Sequence, residues 1–142
     1  MNERVSKTEE LGRRAVACKG WRWMPGMLLL WKLHERGGTY CGRVCHLETS
    51  DSGTAQDVYC EGRGDHFDGA LEVPNCFPDL SDPATLGCLL HLVRQAQPDQ
   101  VRWVMSSCCS AYGRWYTNPS RGGARDYDTE AEALVAALEA AR

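Results

Sequence analysis

The sequence predicts an α+β fold: a small, mostly antiparallel sheet of about five strands with three helices packed on it. Three observations lead to this prediction. Helix start signals precede apolar residues at helical spacing, short apolar runs lie between Gly and Pro turns, and no repeat of solenoid length is visible. With 142 residues, 43% of them hydrophobic and 25% charged, the chain can bury a core as a single domain over residues 1–142.

The first helix is predicted at residues 6–19. Ser6 and Glu9 have the spacing of a capping box, and the apolar residues that follow fall on one helical face. The next segment, Trp-Arg-Trp-Met-Pro-Gly-Met at 21–27, contains a Pro-Gly turn signal. We therefore expect this segment to form a corner that is not continuous with the strand after it.

The main part of the sheet is predicted at residues 27–60. The apolar run at its start predicts a strand that is covered on both faces, and the Glu-Arg-Gly-Gly turn at 35–38 predicts a hairpin. Two further strands are predicted within residues 101–118. The sheet is therefore expected to combine strands from both halves of the chain.

The central helix is predicted at residues 82–96, because Asp82 is a favoured N-cap and the proline after it is a favoured first helical residue. The last helix is predicted at 129–141. Its first turn pairs Thr129 with Glu132 in a second capping box. Leucine and valine residues at helical spacing give both helices one apolar face for the core.

The charge distribution excludes one class of function and favours another. The net charge of −3 is unlike that of a general nucleic-acid binder. Residues 1–40 hold eight Lys and Arg against four Asp and Glu, whereas residues 41–100 hold three against ten. This asymmetry favours self-association or an anionic ligand at one face.

Cysteine usage indicates a reducing compartment. The eight cysteines are too sparse for a disulfide scaffold, and the charged N-terminal residues do not form a secretory signal. No segment is apolar for long enough to span a bilayer. The sequence therefore predicts a cytosolic protein with free thiols and no membrane partner.

Three blocks of the sequence, at 15–27, 78–90 and 129–141, resemble blocks of an uncharacterised family of short proteins from tailed phages and prophages. The sequence Trp-Arg-Trp-Met-Pro-Gly-Met within the first block is the most specific part of this resemblance. The resemblance implies a phage accessory protein made in the cytoplasm of the infected bacterial host, and no particular chemistry. The products of phage genes of this size often act against host defences, either by binding a defence protein or by sequestering a signalling nucleotide.

The leading functional hypothesis is a non-enzymatic, counter-defence protein that sequesters a small anionic ligand of the nucleotide type. Nucleobases stack on indoles and guanidinium groups, and arginine binds phosphate in a bidentate manner. A chain this small offers little concavity by itself, so the pocket is expected at a subunit interface of a homo-oligomer. The candidate ligand-binding residues are Trp21, Arg22, Trp23, Arg114, Arg121 and Arg125.

The same sequence supports two alternative functional hypotheses. The first is a protein–protein inhibitor of a bacterial defence protein, in which the Trp, Arg and Met side chains of 21–27 form a hot-spot surface. The second is a small zinc-stabilised domain. Its candidate ligands are Cys41, Cys45, His46 and Cys60. The histidines are scattered, and no catalytic grouping with a nucleophile and an acid can be recognised around them. The sequence therefore predicts no enzyme and no other cofactor.

Overall fold

The computed structural model describes residues 2–32, 39–49, 56–62, 76–97, 105–109, 113–118 and 127–141. Within these ranges the chain forms three helices and six strands. The helices are α1 (Asn2–Ala17), α2 (Pro83–Ala96) and α3 (Glu130–Ala140). The strands are β1 (Leu28–Lys32), β2 (Thr39–Thr49), β3 (Gln56–Gly62), β4 (Cys76–Pro78), β5 (Met105–Cys109) and β6 (Arg114–Asn118).

The α+β class is confirmed, but the strands of the described chain form two sheets. Four strands make the larger sheet in the order β3-β2-β1-β4, and every pair in it is antiparallel. The hairpin of β5 and β6 is a separate, two-stranded sheet. A bridge between Trp115 and Tyr127 ties this hairpin to the residues just before α3. The expected single sheet of about five strands is therefore not confirmed.

The helix starts show which local signals act as caps. Asp82 is the N-cap of α2 and accepts a hydrogen bond from the backbone N–H of Thr85 at 2.9 Å. Thr129 and Glu132 form the expected capping box of α3. Helix α1 begins at Asn2, so Ser6 lies inside it and the capping box predicted there is wrong. Nothing in the residues before Ser6 breaks a helix, so α1 extends past the local signal.

The hydrophobic core joins the larger sheet to the helices. The strands contribute side chains such as Leu29, Trp31 and Val44, and α2 and α3 contribute Leu89 and Leu134, all of them buried. Burying each such side chain stabilises the fold by roughly 1.5–3 kcal/mol. In the described residues, no helix has the length and apolar character needed to cross a bilayer.

Helix α1 lies against the short edge strand and against α3. A Cβ atom at Gly12 would stand 3.0 Å from the carbonyl oxygen of Pro78, so any other residue would need β4 to move away by a few tenths of an ångström. On the other side, Arg14 makes a two-pronged ion pair with Glu139 of α3, with N–O distances of 2.8 and 2.9 Å. Helix α1 therefore covers an edge that would otherwise be open to pairing.

Candidate functional site

The segment between α1 and β1 is a corner held by backbone hydrogen bonds. The N–H of Trp21 donates to the carbonyl of Cys18 at 3.0 Å, which turns the chain after α1. The N–H of Met27 donates to the carbonyl of Met24 at 3.2 Å, which closes a second turn. Gly26 has a φ of 94°, a conformation that other residues rarely adopt, so the Pro-Gly signal of the sequence corresponds to a real turn.

The turn is pinned to the sheet and to α2 by the side chain of Arg43. Its Nη1 donates to the carbonyl of Gly26 and to Oδ2 of Asp82, both at 2.8 Å, and its Nη2 donates to Oδ1 of Asp82 at 3.1 Å. Asp82 in turn accepts from the hydroxyl of Thr85 at 2.9 Å, and that hydroxyl accepts from the N–H of Leu28 at 2.8 Å. One chain of polar contacts therefore fixes the corner relative to α2.

Hydrogen bonds donated by the Arg43 guanidinium are the main reason that the pKa of the Asp82 carboxyl falls to about 2. Burial opposes this shift, and the hydrogen bonds from Thr85 add to it. The carboxylate side chain is 13% exposed, whereas the guanidinium of Arg43 is 44% exposed. Sequence reasoning missed Arg43, because no local pattern connects an arginine in β2 with an N-cap 39 residues away.

The two indoles of the corner have different environments. They meet edge to face, with ring centroids 5.5 Å apart and planes at 86°. Trp23 is 3% exposed and belongs to the core, whereas Trp21 is partly buried and packs against the core from outside. Trp23 was predicted to stack on a ligand, but in this conformation its ring packs within its own chain and offers no surface. Only Trp21 keeps an exposed part.

Trp21 carries an unusual buried donor. Its indole Nε1 is sealed from solvent and finds no acceptor in the part of the chain that the structure describes. Buried donors without an acceptor are rare in folded proteins, and each costs about 1–3 kcal/mol. The neighbouring Arg22 is exposed, and its Nη2 donates to Oε1 of Gln95 near the end of α2. The acceptor of Arg22 is therefore a neutral amide.

Two contacts show that residues 21–25 run along α2. Arg22 meets Gln95 near the C-terminal end of the helix, and the carbonyl of Pro25 lies 4.0 Å from Sγ of Cys88, nearer its start. His91 is exposed on the same helical face, because it lies between Cys88 and Gln95 at helical spacing. We call this surface the Trp corner: residues 21–25 with Cys88, His91 and Gln95 of α2.

The other predicted ligand-binding residues do not extend the Trp corner in the described chain. Arg114 belongs to β6, and its Nη1 lies 2.6 Å from Oδ1 of Asp128, just before α3. Its charge is therefore already matched by a carboxylate. Arg121 and Arg125 lie outside the described residues. Of the predicted set, Trp21 and Arg22 are the residues that the structure brings together on one surface.

The four candidate zinc ligands do not form a metal site. In the described ranges, which include all four, no group of three or more His, Cys, Asp and Glu side chains is arranged to hold a metal. The register of β2 against β3 shifts between Val44 and His46, at the position of Cys45. Burial is the main cause that raises the pKa of the Cys60 thiol to about 11.

A groove of about 570 Å³ runs along the outer face of α1. It is lined by Glu9, Glu10, Arg13, Arg14 and Ala17, all residues of this one helix. Arg13 pairs with Glu9 at 2.9 Å, and Arg14 pairs with Glu139 at 2.8 Å. Because both arginines are paired within the chain, the described residues of this groove offer no unpaired cation for an anionic ligand.

No protein-family model matches this sequence, and neither curated proteins nor solved structures show a match.

Proposed function

We propose that this protein acts by binding and blocking a partner protein, without catalysis, and that the Trp corner is its contact surface. The observation that carries the proposal is a corner that presents Trp21 and Arg22 side by side. Tryptophan and arginine are the residues most enriched in interface hot spots. Arg43 and Asp82 hold the backbone at Gly26, next to the Trp corner, so this part of the chain loses little conformational freedom on binding, which favours affinity.

The geometry supports a protein partner more than a nucleotide. A nucleotide site of the predicted kind needs two stacking surfaces and several unpaired cations. Trp23 lies in the core, and Arg114 is engaged with Asp128. A protein partner needs only a small cluster of anchor side chains surrounded by other contacts. The exposed Pro25 and His91 and the partly buried Met24 supply such surroundings.

The resemblance to phage proteins suggests the class of partner. A phage accessory protein in the cytoplasm of an infected bacterium would encounter host defence proteins. We therefore propose counter-defence as the biological role, with a bacterial defence protein as the blocked partner.

The sequestration of a nucleotide-type anion is the second candidate, and one observation favours it. The exposed guanidinium of Arg22 is held by a neutral amide and lies beside a partly exposed indole. In a homo-oligomer, two such corners facing each other would supply the second stacking surface. This candidate predicts that cyclic nucleotides or dinucleotides raise the melting temperature of the wild type, and that Trp21→Ala abolishes the rise.

The test of the lead proposal is retention of a host protein by tagged variants. Wild type, a Trp21→Ala/Arg22→Ala double variant and a Lys7→Ala/Glu10→Ala control are expressed in the bacterial host, and retained proteins are quantified by mass spectrometry. The control changes two exposed residues of α1. We expect wild type and control to enrich the same protein, and its affinity, once purified, to fall about 100-fold in the double variant. Equal retention by the double variant would contradict the proposal.

A further inference from the structure

We propose that the partner of the Trp corner presents a carboxylate, which accepts hydrogen bonds from the indole N–H of Trp21 and the guanidinium of Arg22. This inference rests on the proposed function, because it names the chemistry of the group that the corner would bind. It also assigns Trp21 two states. The ring is tucked in with its N–H unpaired in the free protein, and it is turned outward when the partner is bound.

The unpaired N–H is the first reason. In the described chain, Nε1 of Trp21 is the one buried side-chain nitrogen or oxygen that lacks a hydrogen-bond partner. A donor left in this condition favours any rearrangement that gives it an acceptor. The indole N–H can only donate, so the complementary group on a partner must be an acceptor.

The environment of Arg22 is the second reason. Its guanidinium is exposed, and Gln95 satisfies one of its donors through a neutral oxygen. In contrast, Arg13, Arg14, Arg43 and Arg114 each meet a carboxylate of their own chain. Carboxylates bind guanidinium groups in a bidentate manner and more strongly than amides do. A carboxylate from a partner would therefore displace Gln95.

The local backbone allows the ring to turn. Residues 21–24 belong to neither a helix nor a strand, and Gly20 precedes them. The corner is anchored by Gly26 and Met27, whose hydrogen bonds to Val44 are both 2.8 Å long. Rotation about the side-chain bonds of Trp21 therefore breaks no sheet hydrogen bond and leaves Trp23 in the core.

The test follows the indole N–H directly. The chain has five tryptophans, and Trp21→Phe identifies the signal of Trp21 among the indole signals of a nitrogen–proton NMR spectrum. The intact protein is titrated with hexaglutamate, and with hexaglutamine as the uncharged control. We expect hexaglutamate to move the Trp21 signal to saturation and hexaglutamine to leave it in place. We expect Arg22→Gln to weaken hexaglutamate binding about tenfold.

The control variant is Lys7→Gln, which removes the same charge from an exposed position on α1 and should leave the titration unchanged. A Trp21 signal that stays in place, or that moves equally with both peptides, would overturn the carboxylate proposal.

The failure of this inference can be told apart from the failure of the proposed function. If the retained host protein is lost with Trp21→Ala but kept with Trp21→Phe, the ring is used without its N–H. The contact surface would then stand, and the carboxylate inference would fall. If the Trp21→Ala/Arg22→Ala double variant retains the host protein as well as wild type does, the proposed function itself is wrong.

Discussion

The Asp82 carboxylate accepts hydrogen bonds from two residues, Thr85 and Arg43, and this explains its acidity. It caps α2 through Thr85, and it pairs with Arg43, which also holds the carbonyl of Gly26. Because the folded-state pKa is about 2 and the ordinary value is 3.8, the ionised form is favoured by folding. This contribution is fully present above about pH 4 and is lost as the pH falls through 2.

We expect Asp82→Asn to lower the free energy of unfolding at pH 7 by about 2 kcal/mol, the equivalent of the pKa difference. Asparagine keeps an N-cap acceptor, so the loss measures the charge rather than the cap. Urea unfolding of both proteins between pH 7 and pH 2 checks this, and the gap should close below pH 4. Asp128→Asn is the control, because Asp128 is 75% exposed in its ion pair. A gap that is constant with pH would contradict the assignment.

Thr85 is wholly buried and joins α2 to β1 through its hydroxyl. We expect Thr85→Val to destabilise the protein by about 1–3 kcal/mol, because the N–H of Leu28 would lose its acceptor inside the core. Hydrogen exchange at Leu28 provides the specific measurement. Exchange should accelerate in Thr85→Val and stay slow in Thr85→Ser, which keeps the hydroxyl. Equal acceleration in both variants would show that packing, not the hydrogen bond, protects this amide.

The limits of sequence reasoning are clearest among single residues. Asp82 was predictable as an N-cap because its signal is local: an acidic residue directly before a proline. Its pairing with Arg43 was not predictable, because tertiary structure brings the two together. Likewise, the sequence placed Trp21 and Trp23 in one corner, but local composition could not tell which indole faces the core. The packing of the whole chain decides that.

At the level of elements, the contact of α1 with β4 depends on Gly12, which has no side chain. A Cβ at Gly12 would lie 3.0 Å from the carbonyl of Pro78 and 3.2 Å from Cβ of Phe77. Both neighbours belong to a strand whose three residues are all buried, so they have little room to move. We expect Gly12→Ala to lower the free energy of unfolding by about 1–3 kcal/mol.

Gly87 is the matched control for this change. It also lies within a helix, and a Cβ there would meet nothing within 4 Å. We expect Gly87→Ala to stabilise the protein by up to about 1 kcal/mol, because alanine favours the helix over glycine. Thermal unfolding of the two variants beside wild type measures the contrast. A stabilised Gly12→Ala variant would mean that α1 does not sit against β4 in solution.

The two capping boxes show why element boundaries were only partly predictable. Ser6 with Glu9 and Thr129 with Glu132 have the same spacing, yet only the second begins a helix. Before Thr129 the chain forms a bridge between Tyr127 and Trp115, so it is extended there and the helix must start anew. The residues before Ser6 are already helical from Asn2 onwards, so no new helix begins at Ser6. The same local signal therefore gives different outcomes in different tertiary contexts.

Across the whole molecule, α3 links the parts that the sequence assigned to one sheet. It meets α1 through Glu139 and Arg14, and its start is tied to the β5–β6 hairpin by Arg114 and Asp128. Hydrophobic periodicity predicts strands but not the sheet that each one joins. The α+β class was therefore predictable from the sequence, whereas the separation into two sheets was not.

The reactivity of the cysteines measures how the folded chain opens. Cys41 and Cys45 are exposed, whereas Cys76 lies in the buried edge strand and burial raises the pKa of its thiol. The pKa of the partly buried Cys60 thiol is about 11. Alkylation requires an accessible thiolate. At pH 8, iodoacetamide should therefore modify the exposed Cys41 and Cys45 faster than Cys60 and Cys76, and opening of the chain should expose both of these thiols to the reagent.

Peptide mass spectrometry along a labelling time course measures these rates site by site. If the sheet, α2 and α3 unfold together, Cys60 and Cys76 should react at one common rate, because β3 and β4 flank the same core. Asp82→Asn should speed both sites by the same factor, about 30-fold for a loss of 2 kcal/mol, when opening is at equilibrium. Cys41 should be unaffected, since it is exposed in the folded state. If Asp82→Asn accelerates alkylation at Cys76 alone, then Asp82 stabilises the β4 edge against local opening. The fold would then not unfold as one unit.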